Sequence, residues 1–142
     1  MKKFMLLILI SLSSFASADI AGSWISIDDN TGEKRVRVEI TQQEDNSFKG
    51  VIVEVFNPKD DPTSRICSQC KGEFKDLPII GFPLLRELKE KNGQYEGGFI
   101  IDPENGKEYK LKANVNEKGL LEVRGFIGFS LFGRTQTWLP DN

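Results

Sequence analysis

Beyond residue 19 the chain is dominated by short runs of period two, each with one apolar and one polar face. Val36, Val38 and Ile40 alternate with Arg35, Arg37 and Glu39, and Leu111, Ala113 and Val115 alternate with Lys110, Lys112 and Asn114. Leu121, Val123, Gly125 and Ile127 do the same against Glu122 and Arg124. Such alternation marks strands that bury one face and wet the other. Phe48–Phe56 is rich in Val and Ile, and Gln94–Ile101 puts Tyr95, Gly97, Phe99 and Ile101 on one side. The pattern predicts eight strands, at 20–27, 34–41, 47–56, 79–90, 94–101, 107–115, 119–127 and 134–139. Helix is hard to place, and its best candidate, Leu84–Lys91, reads almost as well as a strand.

Turn chemistry separates these runs. Asp29-Asn30-Thr31-Gly32, Lys91-Asn92-Gly93, Pro103-Glu104-Asn105-Gly106 and Asn116-Glu117-Lys118-Gly119 each offer Asn or Gly for a positive φ. Short connections make neighbours antiparallel, and an even count lets the last strand return to the first, which removes exposed edges. The expected fold is all-β: an eight-stranded antiparallel up-and-down barrel with a long Cys-containing loop. A two-sheet sandwich would carry the same local pattern. If the first strand runs from base to mouth, the connections Asp28–Glu33, Asn57–Pro78, Asp102–Gly106 and Gly128–Gly133 share one rim.

The first eighteen residues read as a secretory leader. Lys2 and Lys3 precede the apolar run Phe4–Leu12, and Ala16-Ser17-Ala18 is a small-x-small cleavage site. The apolar run is shorter than the roughly 20 residues that span a bilayer, so residues 1–18 are expected to be removed after Ala18. One domain, 19–142, then remains as a periplasmic or secreted protein without a transmembrane span. Position 19 is Asp rather than Cys, so no lipid anchor is indicated on the new terminus.

The chain carries 19 basic and 21 acidic side chains, for a formal charge of −2. Two of the lysines leave with the leader, and the remaining charges are interspersed without a basic block. Nucleic-acid binding has no electrostatic footprint in such a pattern, and polybasic attraction to anionic lipid is not expected from it. The sequence contains no histidine, which removes Ser-His-Asp and Cys-His catalysis and the commonest metal ligand. The paired carboxylates Asp28/Asp29, Asp60/Asp61 and Asp102/Glu104 all fall in turns, where such residues belong on structural grounds. The reading is a non-enzyme with no cofactor and no metal.

Four clusters stand out. Gly22-Ser23-Trp24 opens the first strand and places an indole at the barrel base, with Trp138 near the end of the last strand beside it. Cys67-Ser68-Gln69-Cys70 contains both cysteines; in an exported protein the default is a disulfide, worth about 2 kcal/mol for so tight a ring. A redox dithiol is the alternative, although such pairs normally begin a helix. The loop Asn57–Pro78 is longer than structureless connections usually are, and reads either as a lid or as a surface decoration. Phe126, Phe129, Leu131 and Phe132 crowd another rim loop. Folded inward they would close the barrel, the simpler expectation; exposed, Phe129, Leu131 and Phe132 would mark a partner or membrane contact.

These motifs, in this order, resemble those of the secreted bacterial domain-of-unknown-function family 2147. The resemblance rests on Gly22-Ser23-Trp24, Cys67-Ser68-Gln69-Cys70, Pro78-Ile79-Ile80-Gly81, the segment from Gly97 to Tyr109, Val123-Arg124-Gly125-Phe126 and Gly133-Arg134-Thr135-Gln136-Thr137-Trp138. It implies a lipocalin-like barrel and no particular activity. Similarity to lipocalins themselves implies an arginine stacked on the first-strand tryptophan. The stretch Gln136-Thr137-Trp138-Leu139-Pro140 has none, so Arg124 from the neighbouring strand is expected at the base with Gly22, Trp24 and Trp138.

The first functional expectation is binding of a small, mostly apolar ligand lined by Val38, Ile40, Val53, Phe99, Ala113 and Val123. Eight strands are expected to enclose either such a ligand or a filled core, not both. The alternatives are an envelope interaction module, which meets a protein partner through the Cys-loop and Phe-loop rim, and a thiol redox protein centred on Cys67 and Cys70.

Overall fold

The computed structural model describes residue 10 and residues 19–56, 58–59, 61–62 and 65–141. Apart from Ile10, the leader falls outside that set, as does its cleavage site after Ala18. Eight strands follow in order: β1 (Gly22–Ile27), β2 (Lys34–Gln42), β3 (Phe48–Val55), β4 (Pro83–Lys91), β5 (Gln94–Ile101), β6 (Glu108–Val115), β7 (Leu121–Phe126) and β8 (Gly133–Pro140). Each pairs antiparallel with the next, and β8 returns to β1, so the sheet is a closed up-and-down barrel. The helical candidate Leu84–Lys91 belongs to β4.

The closing seam is the shortest in the barrel, with only Trp24 opposite Pro140 and Ile25 opposite Leu139. Asp141 extends it. Its amide donates to the Ser23 carbonyl at 3.0 Å, and its carboxylate accepts from the Ser23 hydroxyl at 3.1 Å and from Arg37 Nε at 2.6 Å. Arg37, also paired with Glu54, thereby ties the chain end to β2 and β3. The hydrogen bond from Arg37 is the main cause that holds the Asp141 carboxyl below the usual aspartate value. A lowered folded pKa gives stability that is present above the unfolded value and lost as pH falls through the folded one. Asp141→Asn is therefore expected to lower the melting temperature at neutral pH. The gap from wild type should close as pH falls below the ordinary aspartate range. A gap independent of pH in calorimetric scans would refute the charge-based account.

The register shifts in four strand pairings, β1–β2 between Ile25 and Ile27 among them, and the other three decide where the expected lining residues point. The β2–β3 register shifts between Arg37 and Val38, where Val38 faces Ile52 while Arg37 faces Glu54. Val53 is the extra residue, and it is 41% exposed. In β5 the register with β6 shifts between Tyr95 and Gly98, and Gly97 takes φ +73°. Phe99 consequently sits opposite Arg86 and Lys110 on the outer wall. A bulge inserts one residue and reverses the phase of everything after it. Both Val53 and Phe99, expected inside the barrel, are therefore corrected to the outside. The third irregularity is in β4, where Phe48 pairs with Leu88 and Gly50 with Leu85, while Glu87 has φ +60°. Leu85 and Leu88, three residues apart, are thereby both buried.

Candidate functional site

The two halves of the barrel are filled differently. At the base, Ile20 is buried across the end of the barrel, and Trp24 Nε1 donates to its carbonyl at 2.9 Å. Gly22 makes this possible: its φ of +131° lets the chain turn from Ile20 into β1. Phe48 and Tyr95 pack edge to face with centroids 5.2 Å apart, and burial is the main cause that pushes the Tyr95 phenol above its ordinary value. Val38, Ile40 and Ala113 are buried in the same continuous core. Large rings and leucines thus fill this end.

Toward the mouth a cavity of about 1100 Å³ opens between the strands. Val36, Ile52, Val55, Ile100 and Val123 contribute to its wall, and Trp138 contributes to the same lining from the buried core. Its indole Nε1 donates to Gln136 Oε1 at 3.3 Å, and the Ser26 hydroxyl accepts from the Val36 amide at 3.3 Å. These inner polar groups are thereby engaged within the wall. The expected choice between ligand space and packed core is thus corrected: one end is packed and the other is open.

Among the residues expected to line a ligand space, Val123 reaches the cavity. Val38, Ile40 and Ala113 belong to the packed core, and Val53 and Phe99 lie outside. Val36 and Ile52 were accessible to sequence reasoning, since they continue the apolar stripes of β2 and β3 toward the mouth. Ile100 was hidden by the irregularity at Gly97.

All four connections at the mouth contribute to the lining, among them Asp28, Arg65, Asp102 and Phe132. The β1–β2 turn is organised by Asp28, whose Oδ1 accepts from the amides of Asn30 at 2.8 Å and Thr31 at 3.0 Å. Those amides, Asn30 first, hold the Asp28 carboxyl below its usual value. This is turn chemistry, as the sequence indicated. Around the rim Arg35 pairs with Glu104, and Arg134 with Asp29.

From Arg65 to Phe82 the long β3–β4 connection is locally ordered. Cys67 and Cys70 form a disulfide and are both buried, and Ile66 bridges to Pro78. The Cys67 sulfur lies 3.4 Å from the Pro103 carbonyl oxygen, so the small ring rests on the β5–β6 turn. Beside it the Arg86 guanidinium lies 5.0 Å from the Phe74 ring and 5.1 Å from the Phe99 ring, and bonds Glu108 at 3.0 Å. That contact explains the outward Phe99: it is half of an aromatic clamp that holds the Cys loop to the wall.

Arg124 requires a correction. It stands on the outer face of β7, where alternation places Val123 inward, and it does not reach Trp24. Its Nε donates to the Ser130 carbonyl at 2.8 Å and its other nitrogens to Thr135 Oγ1 at 2.9 Å and the Leu131 carbonyl at 3.4 Å. It therefore fastens the β7–β8 loop rather than plugging the base. The inward closure expected of that loop is also corrected. Phe129 is 76%, Leu131 86% and Phe132 73% exposed. The loop turns through Gly128 at φ +72°, and its backbone is held from below by Arg124.

A β-barrel of eight antiparallel strands, plugged at one end and open at the other, defines the lipocalin-like class. The chain belongs to the DUF2147 family, described as uncharacterized protein conserved in bacteria, whose model matches residues 22–139. Its structure is similar to that of protein HP1028 from the human pathogen Helicobacter pylori, which is described as belonging to the lipocalin family. The TM-score is 0.75 at 16% sequence identity, over 88% of this chain and 84% of that one. No curated protein matches the chain.

Proposed function

We propose that this protein is an exported, non-enzymatic carrier that holds a small, mostly apolar molecule in the open half of its barrel. The observation that carries the reading is the cavity of about 1100 Å³, floored by Trp138 and walled by Val36, Ile52, Ile100 and Val123. Apolar surface of this kind gains free energy when a ligand displaces water from it, and the inner polar groups have partners within the wall. Export is supported by the leader-like N-terminus and by the disulfide, which belongs to oxidising compartments. No helix among the described residues is long and apolar enough to cross a membrane. The disulfide is read as structural, because both cysteines are buried and the ring is packed on Pro103.

Phenylnaphthylamine, a neutral apolar fluorophore, tests the reading in solution. Saturable binding is expected, and Val36→Trp and Val123→Trp, which fill the space, should each weaken it about tenfold or more. Absence of saturable binding, or undiminished affinity in filled variants that melt like wild type, would sink the proposal. Native mass spectrometry of protein recovered without denaturation would then give the mass of the natural cargo.

A further inference from the structure

The β7–β8 loop presents Ile127, Phe129, Leu131 and Phe132 to solvent, and Ile127 and Phe132 also line the cavity. The turn is built to do this. Phe132 N donates to the Phe129 carbonyl at 3.0 Å, and Arg124 bonds the carbonyls of Ser130 and Leu131. Polar contacts hold the backbone while the large apolar side chains point away. Gly133 admits no side chain, since a Cβ there would lie 2.5 Å from the Gly125 carbonyl oxygen. The exposed patch is therefore a consequence of specific packing beneath it.

The charge next to the loop is the second observation. No run of basic residues exists in the sequence, yet the sheet register assembles one on the outer wall. Lys112 stands directly opposite Arg124, and Lys110 opposite Phe126. Like charges facing each other across a ladder are unfavourable unless something offsets them. Lys110 and Lys112 are exposed and make no ion pair with an acid among the described residues. Glu122, the acid on the outer face of β7, lies farther toward the base and accepts from Asn116 at 3.2 Å. On the neighbouring rim Asp29 and Glu104 are paired with Arg134 and Arg35.

We propose that this face docks on an anionic phospholipid bilayer. Phe129, Leu131 and Phe132 enter the acyl boundary, and Lys110, Lys112 and Arg124 face the headgroups. Aromatic and aliphatic side chains beside a small cationic patch fit a lipid surface, which supplies an apolar layer under a negative one. Docking sets the cavity mouth against the lipid, so a cargo exchanges with the membrane without crossing open water. The inference rests on the carrier reading for its purpose, but its test does not.

Vesicle flotation with the chain from Asp19 onward, which contains every strand, tests it. The vesicles are phosphatidylcholine alone, or equimolar phosphatidylcholine and phosphatidylglycerol. The protein should float with the mixed vesicles, and less so as salt rises. Replacing Phe129, Leu131 and Phe132 together by Ser should cut flotation about tenfold or more, with an unchanged melting temperature because these side chains are already exposed. Lys110→Gln with Lys112→Gln should remove the preference for phosphatidylglycerol. Equal flotation on both vesicle types, no flotation on either, or full flotation of the triple Ser variant would overturn the proposal. A concentration-dependent dimer abolished by the same three substitutions would also overturn it, in favour of a second copy of this chain. Probe binding measured without vesicles decides the carrier reading separately.

Discussion

Trp138→Ala is expected to cost about 3–5 kcal/mol of stability, the range for removing a large ring from a core. Trp138 is 1% exposed and stands where the packed half of the barrel meets the cavity. Its strand partner is Leu121 on β7, also buried. Removing the indole takes away the floor, so that the space above joins a new void beneath. The barrel wall is hydrogen-bonded on both sides and resists collapse into that void, which puts the expected loss in the upper part of the range. Trp138→Phe keeps an aromatic floor and forgoes the bond to Gln136 Oε1, so it should lose markedly less. Urea unfolding followed by circular dichroism measures both. A loss under about 1 kcal/mol for the alanine variant would mean that the surrounding side chains close over the gap. The floor would then be soft rather than built. The same variant should admit longer apolar probes if it folds, since its cavity is deeper.

The barrel was legible because its signal is local. Alternation along β2, β6 and β7 and the Asn-Gly and Asp-Asn turns each act within a few residues, and together they leave few ways to arrange eight short strands. Gly22 and Trp24 were legible for a similar reason: a positive φ and an indole at the first strand belong to one turn at the base. What escaped was phase. Val53, Gly97 and Glu87 each interrupt period two, and the last makes Leu84, Leu85 and Leu88 look helical when they are strand. Nothing in the composition of Phe48–Phe56 distinguishes Val53 from Val51 or Val55. The bulge shows only in the pairing with the partner strand, where Arg37 stands opposite Glu54 and Val38 opposite Ile52. Arg124 escaped for another reason. Its partners are backbone carbonyls of the loop it supports, and carbonyls have no signature in sequence. The vertical division of the barrel was half legible. Trp24, Phe48 and Tyr95 are visibly large, but only the register brings them to one end and leaves Val36, Ile52 and Val123 at the other.

Gly106→Ala should release the Cys loop from the rim. The residue has φ +72°, and a Cβ there would stand 2.0 Å from the Gln69 carbonyl oxygen, 2.4 Å from its carbon and 2.8 Å from the Cys70 nitrogen. All three are backbone atoms, which cannot swing aside as the end of a side chain would. The ring that holds them is closed by the disulfide, bridged from Ile66 to Pro78 and braced by Arg86 between Phe74 and Phe99. It must therefore shift as a body. Gly119→Ala separates the two costs involved. Gly119 has nearly the same φ, +77°, but nothing lies within 4 Å of the Cβ position. That variant should lose only the conformational cost, about 1–2 kcal/mol. Gly106→Ala should lose more, and its disulfide should reduce faster in dithiothreitol, because Cys67 and Cys70 are buried only while the loop is seated. The two variants are compared by urea unfolding and by the rate at which mass spectrometry records reduction. Equal stability losses and equal reduction rates would show that the loop lifts from Gly106 without resistance. In that event the β3–β4 connection is a mobile flap over the cavity, and its docking on the β5–β6 turn contributes nothing to closing the rim.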